Sequence, residues 1–194
     1  MKLLLKFYKL LRITIFVQIN NILIIIIFSL RRLFLGFQNA ALYLSKIDKN
    51  AIIPILRLYG ASIDSDCDIE SGLIIHNCRD FQNLKIGCKT HIGKQCFLDL
   101  RERITIHNNV VISMRTTLIT HIDLSKSLLS NYYPSKSRSI IINSNCYIGA
   151  NSTILMGVEI GEKSIIAAGS LVNSNVPSNS VFGGVPSKLI KRIF

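Results

Sequence analysis

From Ile140 to Val176 the chain reads IIINSNCYIGANSTILMGVEIGEKSIIAAGSLVNSNV, and its aliphatic residues recur every six positions. Ile142, Ile148, Ile154, Ile160, Ile166 and Val172 form one register. Four positions after each stands a small or β-branched residue: Cys146, Ser152, Val158, Ser164, Ser170 and Val176. A helix repeats at about 3.6 and a lone strand at 2, so neither sustains a period of six. Three short strands closing one triangular coil do, with each aliphatic residue inside and the small residue near a corner. Gly149 and Gly161, directly after the aliphatic position, are expected to take the positive φ of a tight turn, which glycine tolerates.

The register extends backwards. Ile63, Ile69 and Ile75 make a first set, Ile86, Ile92 and Leu98 a second, and Ile106, Ile112 and Leu118 a third. With the two sets from Ile142 onward, the pattern predicts a mainly β fold, a parallel β-helix of about five coils. Its three breaks carry further information: Ile75 to Ile86, Leu98 to Ile106 and Leu118 to Ile142 each follow a third hexad. All three insertions should therefore leave from one corner of the prism, the face on which such proteins often bind. That corner holds His76, Asn77, Asp99 and His121, the last at the base of the longest loop.

Before the repeat the pattern changes. Lys2, Lys6, Lys9 and Arg12 are spaced to share one helical face, and residues 13–30 carry no charge. An apolar run of ~17–25 residues can span a bilayer, but Gln18, Asn20 and Asn21 interrupt this one and basic residues flank both sides. The reading preferred here is of helices in the cytoplasmic membrane interface, or a re-entrant hairpin, over a true span. Helices that only cap the coil and join subunits are the alternative. A cleaved signal peptide does not fit, because Arg31 and Arg32 follow without a small-residue cleavage site. Pro54 is expected to break the helical pattern and Gly60 to open the repeat. The organisation predicted is residues 1–54 helical, 55–176 β-helix with an acceptor loop over 119–141, and 177–194 a tail ending in a short helix.

The net charge of +12 would suit nucleic acid, but residues 1–60 hold nine of the 23 lysines and arginines against Asp48 alone. Basic charge within the most apolar third points to a membrane surface and away from nucleic acid. Five cysteines without a CxxC spacing imply neither a zinc ribbon nor a closed disulfide set. Cys67, Cys96 and Cys146 occupy the small inward position and read as buried thiols.

For chemistry near neutral pH, a histidine on the insertion corner is the natural general base. His121, in TTLITHID, is the first candidate, and His76 a secondary one on a lower coil. His91 and His107 read as solvated surface groups. No metal is expected, since a zinc site on such a coil needs three converging histidines, two of them closely spaced. Neither a phosphate-cradling glycine loop nor a G-x-S-x-G elbow occurs. A lone base on a coil suits direct transfer from an activated donor to a hydroxyl.

From about Ile55 onward the chain resembles the hexapeptide-repeat acyltransferases, nearest to the galactoside and maltose acetyltransferases and the capsule and lipopolysaccharide O-acetyltransferases. FLDL at 97–100, THID at 120–123, YIGANSTILMGVEIG at 147–161, IIAAGSLV at 165–172 and GGVPSKLIK at 183–191 carry the likeness. The resemblance implies a left-handed helix and a homotrimer with acetyl-CoA between two prisms and no metal. His121 matches the family's base and Asp99 the acidic position near the acceptor pocket, with Asp123 its rival for orienting His121. The backbone at Gly149 and Ala150 matches the site that binds the thioester carbonyl, and Tyr147 lies where tryptophan commonly flanks the pantetheine arm. Ala168, Asn173, Lys188 and Lys191 match further cofactor contacts. Ile122 replaces the galactoside type's proline, and Ser174 a common lysine. The activity so implied is acetyl-CoA-dependent O-acetylation of a sugar, in a surface polysaccharide or its lipid-linked precursor, by an enzyme peripheral to the inner membrane face through residues 1–50. Serine O-acetyltransferase, suggested by GLIIHN at 72–77, and a non-catalytic β-helix scaffold are the alternatives.

Overall fold

The computed structural model describes residues 2–194, with side chains from Phe16 onward. The expected common face of Lys2, Lys6, Lys9 and Arg12 lies outside the described side chains.

Aliphatic residues at every sixth position build a triangular β-solenoid. Its three parallel sheets stack the predicted positions in register. Ile63, Ile86, Ile106, Ile142 and Ile160 form one column. Ile69, Ile92, Ile112, Ile148 and Ile166 form the second, and Ile75, Leu98, Leu118, Ile154 and Val172 the third. All fifteen are buried, none more than 8% exposed. Burying a side chain of this size stabilises by roughly 1.5–3 kcal/mol, so the columns dominate the core.

The solenoid continues past the predicted five coils into a sixth. Val176 bridges to Ile160, Ser180–Gly183 pairs in parallel with Ile165–Ile166, and the Gly184 carbonyl accepts from Leu171 N. No helix follows: the expected short C-terminal helix is instead the strand Lys188–Arg192, antiparallel to Ser180–Gly183. The sixth coil offers an unpaired strand edge, and a returning segment satisfies it with backbone hydrogen bonds that a short helix could not replace.

The corners correct the expectation for glycine. Neither Gly149 nor Gly161 has a positive φ; the left-handed residues lie two positions on, at Asn151 and Lys163 (each φ 57°). Asn109, Asn145 and Asn151 suit that conformation because asparagine tolerates it well. Glycine is needed at 149 for a different reason. A Cβ there would run into the Ala168 amide of the next coil, and one at Gly161 into that of Ser178.

Three helices close the lower end. α1 spans Lys2–Leu35, α2 Phe37–Tyr43 and α3 Lys49–Leu58. α1 is continuous, so no re-entrant hairpin forms within residues 13–30; the chain turns only at Gly36, with φ 84°. Pro54 does not end its helix. Asp48 caps α3 by accepting from Asn50 N, and Ala51, Ile52, Ile55 and Leu56 are buried around the proline, so packing outweighs the lost hydrogen bond. Phe28, Phe37, Tyr59 and Phe81 plug the base of the prism, with ring centroids 4.9–6.2 Å apart. Beyond Ile24 and Phe28 the upper half of α1 is largely uncovered: Phe16, Ile19, Leu23, Ile26, Leu30 and Phe34 are each exposed by 49% or more. The stretch Phe16–Leu35 is long and apolar enough to cross a membrane.

Candidate active site

The third-hexad strands Ile74–His76, Phe97–Asp99 and Thr117–Leu118 lie side by side, so the segments leaving them converge on one corner. Asp99 stands directly above His76 in the ladder, where the second coil breaks its register. One coil higher, Thr120 leaves the third strand and donates to Asp99 Oδ2 through both its amide (2.9 Å) and its hydroxyl (2.8 Å). The next residue, His121, is then pinned from the other side. Its short strand His121–Ile122 pairs antiparallel with Lys136–Ser137, so the 119–141 loop returns on itself.

His121 Nδ1 lies 2.6 Å from Asp99 Oδ2, and Asp99 is only 1% exposed. Burial alone would push the Asp99 carboxyl up; donors from His121, Asn77 and Thr120 outweigh it and hold the group below the usual carboxylate range. An ionised carboxylate only accepts, so Nδ1 carries the imidazole proton and Nε2 presents its lone pair. Chemically, such a pair can act as a general base oriented by a buried acid.

Asp123 does not share this role. Its carboxylate accepts from Ser125 N, Ser135 Oγ and Arg101, and these contacts hold its pKa well below the ordinary range. It fastens the loop to the coil beneath and makes no contact with His121 among those described. His76 is exposed and lies beside the Phe97 ring. His91 pairs with Asp68 on the surface, and His107 lies on another corner.

Asn77, which the sequence places on the insertion corner without a role, also belongs to the cluster. Its Nδ2 donates to Asp99 Oδ1 at 2.9 Å and stands 3.4 Å from His121 Nε2. Its position on the insertion corner was the available signal; the side chain's direction follows from a backbone φ of 53°. Asn77 also lines a cavity of about 670 Å³ between the corner and α2, along with Gln38, Arg79, Gln82, Asn83 and Arg101. Gln38 ties α2 to this wall, donating to Ile75 O and accepting from Cys78 N. Burial pushes the adjacent Cys78 thiol up to about 12, so it stays protonated and does not serve as a nucleophile.

The remaining predicted residues lie elsewhere on the protomer. Tyr147 projects from the second sheet, its hydroxyl 3.0 Å from Ser113 Oγ. Gly149, Ala150 and Ala168 form stacked turns at the corner after that sheet, and the Ala150 N–H has no acceptor among the described residues. From that corner the chain crosses a whole face, from Met114, to reach His121. At ~3.3 Å per residue this is roughly 20 Å. Asn173 is exposed on the same corner as His121 at a higher coil, and Lys188 and Lys191 lie on the exposed returning strand. A single protomer thus brings together His121, Asp99 and Asn77, but not the turn at Ala150. Among the described residues, no cluster of three or more His, Cys, Asp or Glu could hold a metal ion.

Residues 139–174 match the family model described as the hexapeptide repeat of succinyl-transferase. The chain is 34% identical over 118 residues to the galactoside O-acetyltransferase of Escherichia coli, covering 55% of this chain and 56% of the relative. It resembles the solved maltose O-acetyltransferase of Clostridium difficile with a TM-score of 0.65 and 26% identity, covering 75% of this chain and 76% of that one. A variant of AntD, an N-acyltransferase from Bacillus cereus solved with dTDP and coenzyme A, matches with a TM-score of 0.55 and 26% identity, covering 68% and 77% of the two chains. The chain spans 62% and 56% of the first two curated relatives it matches.

Proposed function

We propose that the chain is a hexapeptide-repeat acetyltransferase and transfers an acetyl group from acetyl-CoA to a sugar hydroxyl, as its likeness to the galactoside and maltose O-acetyltransferases supports. The observation that carries this reading is the His121–Asp99 pair, with Nδ1 held by the buried carboxylate and Nε2 facing Asn77, which in turn lines the polar cavity. The acceptor hydroxyl gives its proton to Nε2 as its oxygen bonds to the thioester carbonyl carbon. The tetrahedral intermediate then expels CoA thiolate, which recovers the proton from His121. The Ala150 N–H supplies a donor for the developing oxyanion, an interaction typically worth ~3–4 kcal/mol. His121 and Ala150 lie on different corners, so the reading requires a second copy to bring Ala150 to the base, in a homotrimer with acetyl-CoA between prisms. The outward column of Val111, Tyr147 and Ile165, each more than a third exposed, gives such a groove an apolar wall. Ala168, Asn173, Lys188 and Lys191 then contact the cofactor, the lysines near its phosphates.

Purified chain is expected to bind acetyl-CoA, and cells producing it to carry surface glycans heavier by acetyl units in mass spectrometry. Absence of both results removes the reading.

The acceptor proposed is a surface polysaccharide or its lipid-linked precursor, met at the cytoplasmic face of the membrane. The uncovered apolar side of α1 and the basic excess of residues 1–60 support it. Deleting residues 1–35 is expected to move the protein from the membrane pellet to the supernatant. A truncated chain that still sediments with membranes removes this part.

A further inference from the structure

Asn77 joins the two halves of the base pair to the cavity beside them. Asp99 can only accept, so the nitrogen of the Asn77 amide, not its oxygen, faces the carboxylate. That nitrogen carries two hydrogens. One is engaged by Asp99 Oδ1, and the other is donated over 3.4 Å to His121 Nε2, the ring proton being on Nδ1. A group that gives its proton to Nε2 must lie ~2.6–3.2 Å from it; it displaces the long Asn77 contact there and can accept the hydrogen so released.

We propose that Asn77 is a specificity-determining residue that selects a hydroxyl acceptor over an amine; this rests on the acetyl-transfer reading. A hydroxyl oxygen has two lone pairs. It can accept from Asn77 with one and attack the thioester carbon with the other, while its O–H proton passes to Nε2. The new bond is an ester C–O bond, the C–S bond breaks, and the proton leaves with CoA. A neutral amine has a single lone pair, and donation from Asn77 would occupy the electrons needed for attack. Without that donation, the amide N–H and the amine N–H groups face each other with no acceptor between them. The corner therefore favours ester over amide formation.

The backbone dictates the informative variants. At a φ of 53°, Asn77→Gly relieves the conformation while removing the side chain, and Asn77→Asp keeps its size and its tolerance of this region but loses both donors. Full-length wild type and both variants are incubated with labelled acetyl-CoA and maltose, methyl galactoside or glucosamine. In parallel, surface glycans are taken from cells producing each protein. Hydroxylamine releases esters and spares amides. Wild type is expected to yield ester. In both variants ester formation falls about tenfold, the loss of one hydrogen bond to the reacting oxygen, through the acceptor's kcat/KM and with KM for acetyl-CoA unchanged. Amide formation on glucosamine does not fall in parallel, so the ester-to-amide ratio drops. A variant with an unchanged ratio, or a wild type that makes mainly amide, overturns the assignment and leaves acetyl transfer intact. No acetylation in either assay, with no binding of acetyl-CoA, defeats the underlying reading instead. Melting temperatures of the variants close to wild type confirm that a lost ratio is not lost folding.

Discussion

Replacing His121 with asparagine is expected to lower kcat by about 10²–10⁴-fold, the usual contribution of a positioned general base, while acetyl-CoA binding persists. Asparagine is the informative choice because its side-chain nitrogen can still donate to Asp99 in place of Nδ1–H. The buried carboxylate keeps its donors, and the corner keeps its shape. His121→Ala removes the base and one of those donors together, so it should lose the same turnover and some stability as well. Thermal melting separates the two. Steady-state turnover near wild type in the asparagine variant would show that proton transfer runs through another group.

Asp99→Asn should act on rate and stability at once. The Asp99 Oδ2 atom accepts from His121 Nδ1, the Thr120 amide and the Thr120 hydroxyl, and Oδ1 accepts from Asn77. An amide can reproduce three acceptor contacts at one atom only by turning its nitrogen towards Asn77, which must then flip and present its oxygen near Nε2. The imidazole loses the anion that stabilises its protonated form in the transition state, and kcat should fall by about 10²-fold or more. A hydrogen bond to a charged acceptor typically contributes about 1.5–3 kcal/mol, so weakening these contacts lowers stability too. The sign of the pH dependence follows from the lowered folded-state pKa. The wild-type stabilisation is complete above the unfolded carboxyl's ordinary value of about 3.9 and is lost as pH falls through the lower folded value. The difference in stability between wild type and Asp99→Asn should therefore be constant near neutral pH and close only in strong acid. A gap that closes already at pH 6 would contradict the assigned ionisation.

The solenoid was legible because its information is carried by side-chain repetition. Fifteen aliphatic positions read from spacing alone all stand inside the coil. The corner that gathers the insertions was legible for the same reason, and with it the proximity of Asp99 to His121. Features set by backbone geometry or by stacking between coils were not. Gly149 announces a turn, yet its requirement comes from the amide of Ala168 a full coil away in sequence. Pro54 looks like a helix stop until its buried neighbours in α3 are seen. The strand Lys188–Arg192 exists only because a sixth coil leaves an edge to pair with. Between His76 and Asn77, sequence favoured the histidine as the more reactive type. The turn points the asparagine inward and leaves the histidine exposed.

A stack of parallel strands has two open ends, and each is a template on which another stack could grow into a fibre. Here both ends are obstructed, by different means. The lower end presents no strand to a newcomer, because α3 and the aromatic cluster of Phe28, Phe37, Tyr59 and Phe81 fill it. The upper coil ends in Lys188–Arg192, which runs against the direction a growing parallel stack would need and carries Lys188, Lys191 and Arg192 on exposed positions. Two copies meeting at these tops would oppose like charges across mismatched strand directions. The fold thereby fixes its own length, and association is steered to the flanks of the prism.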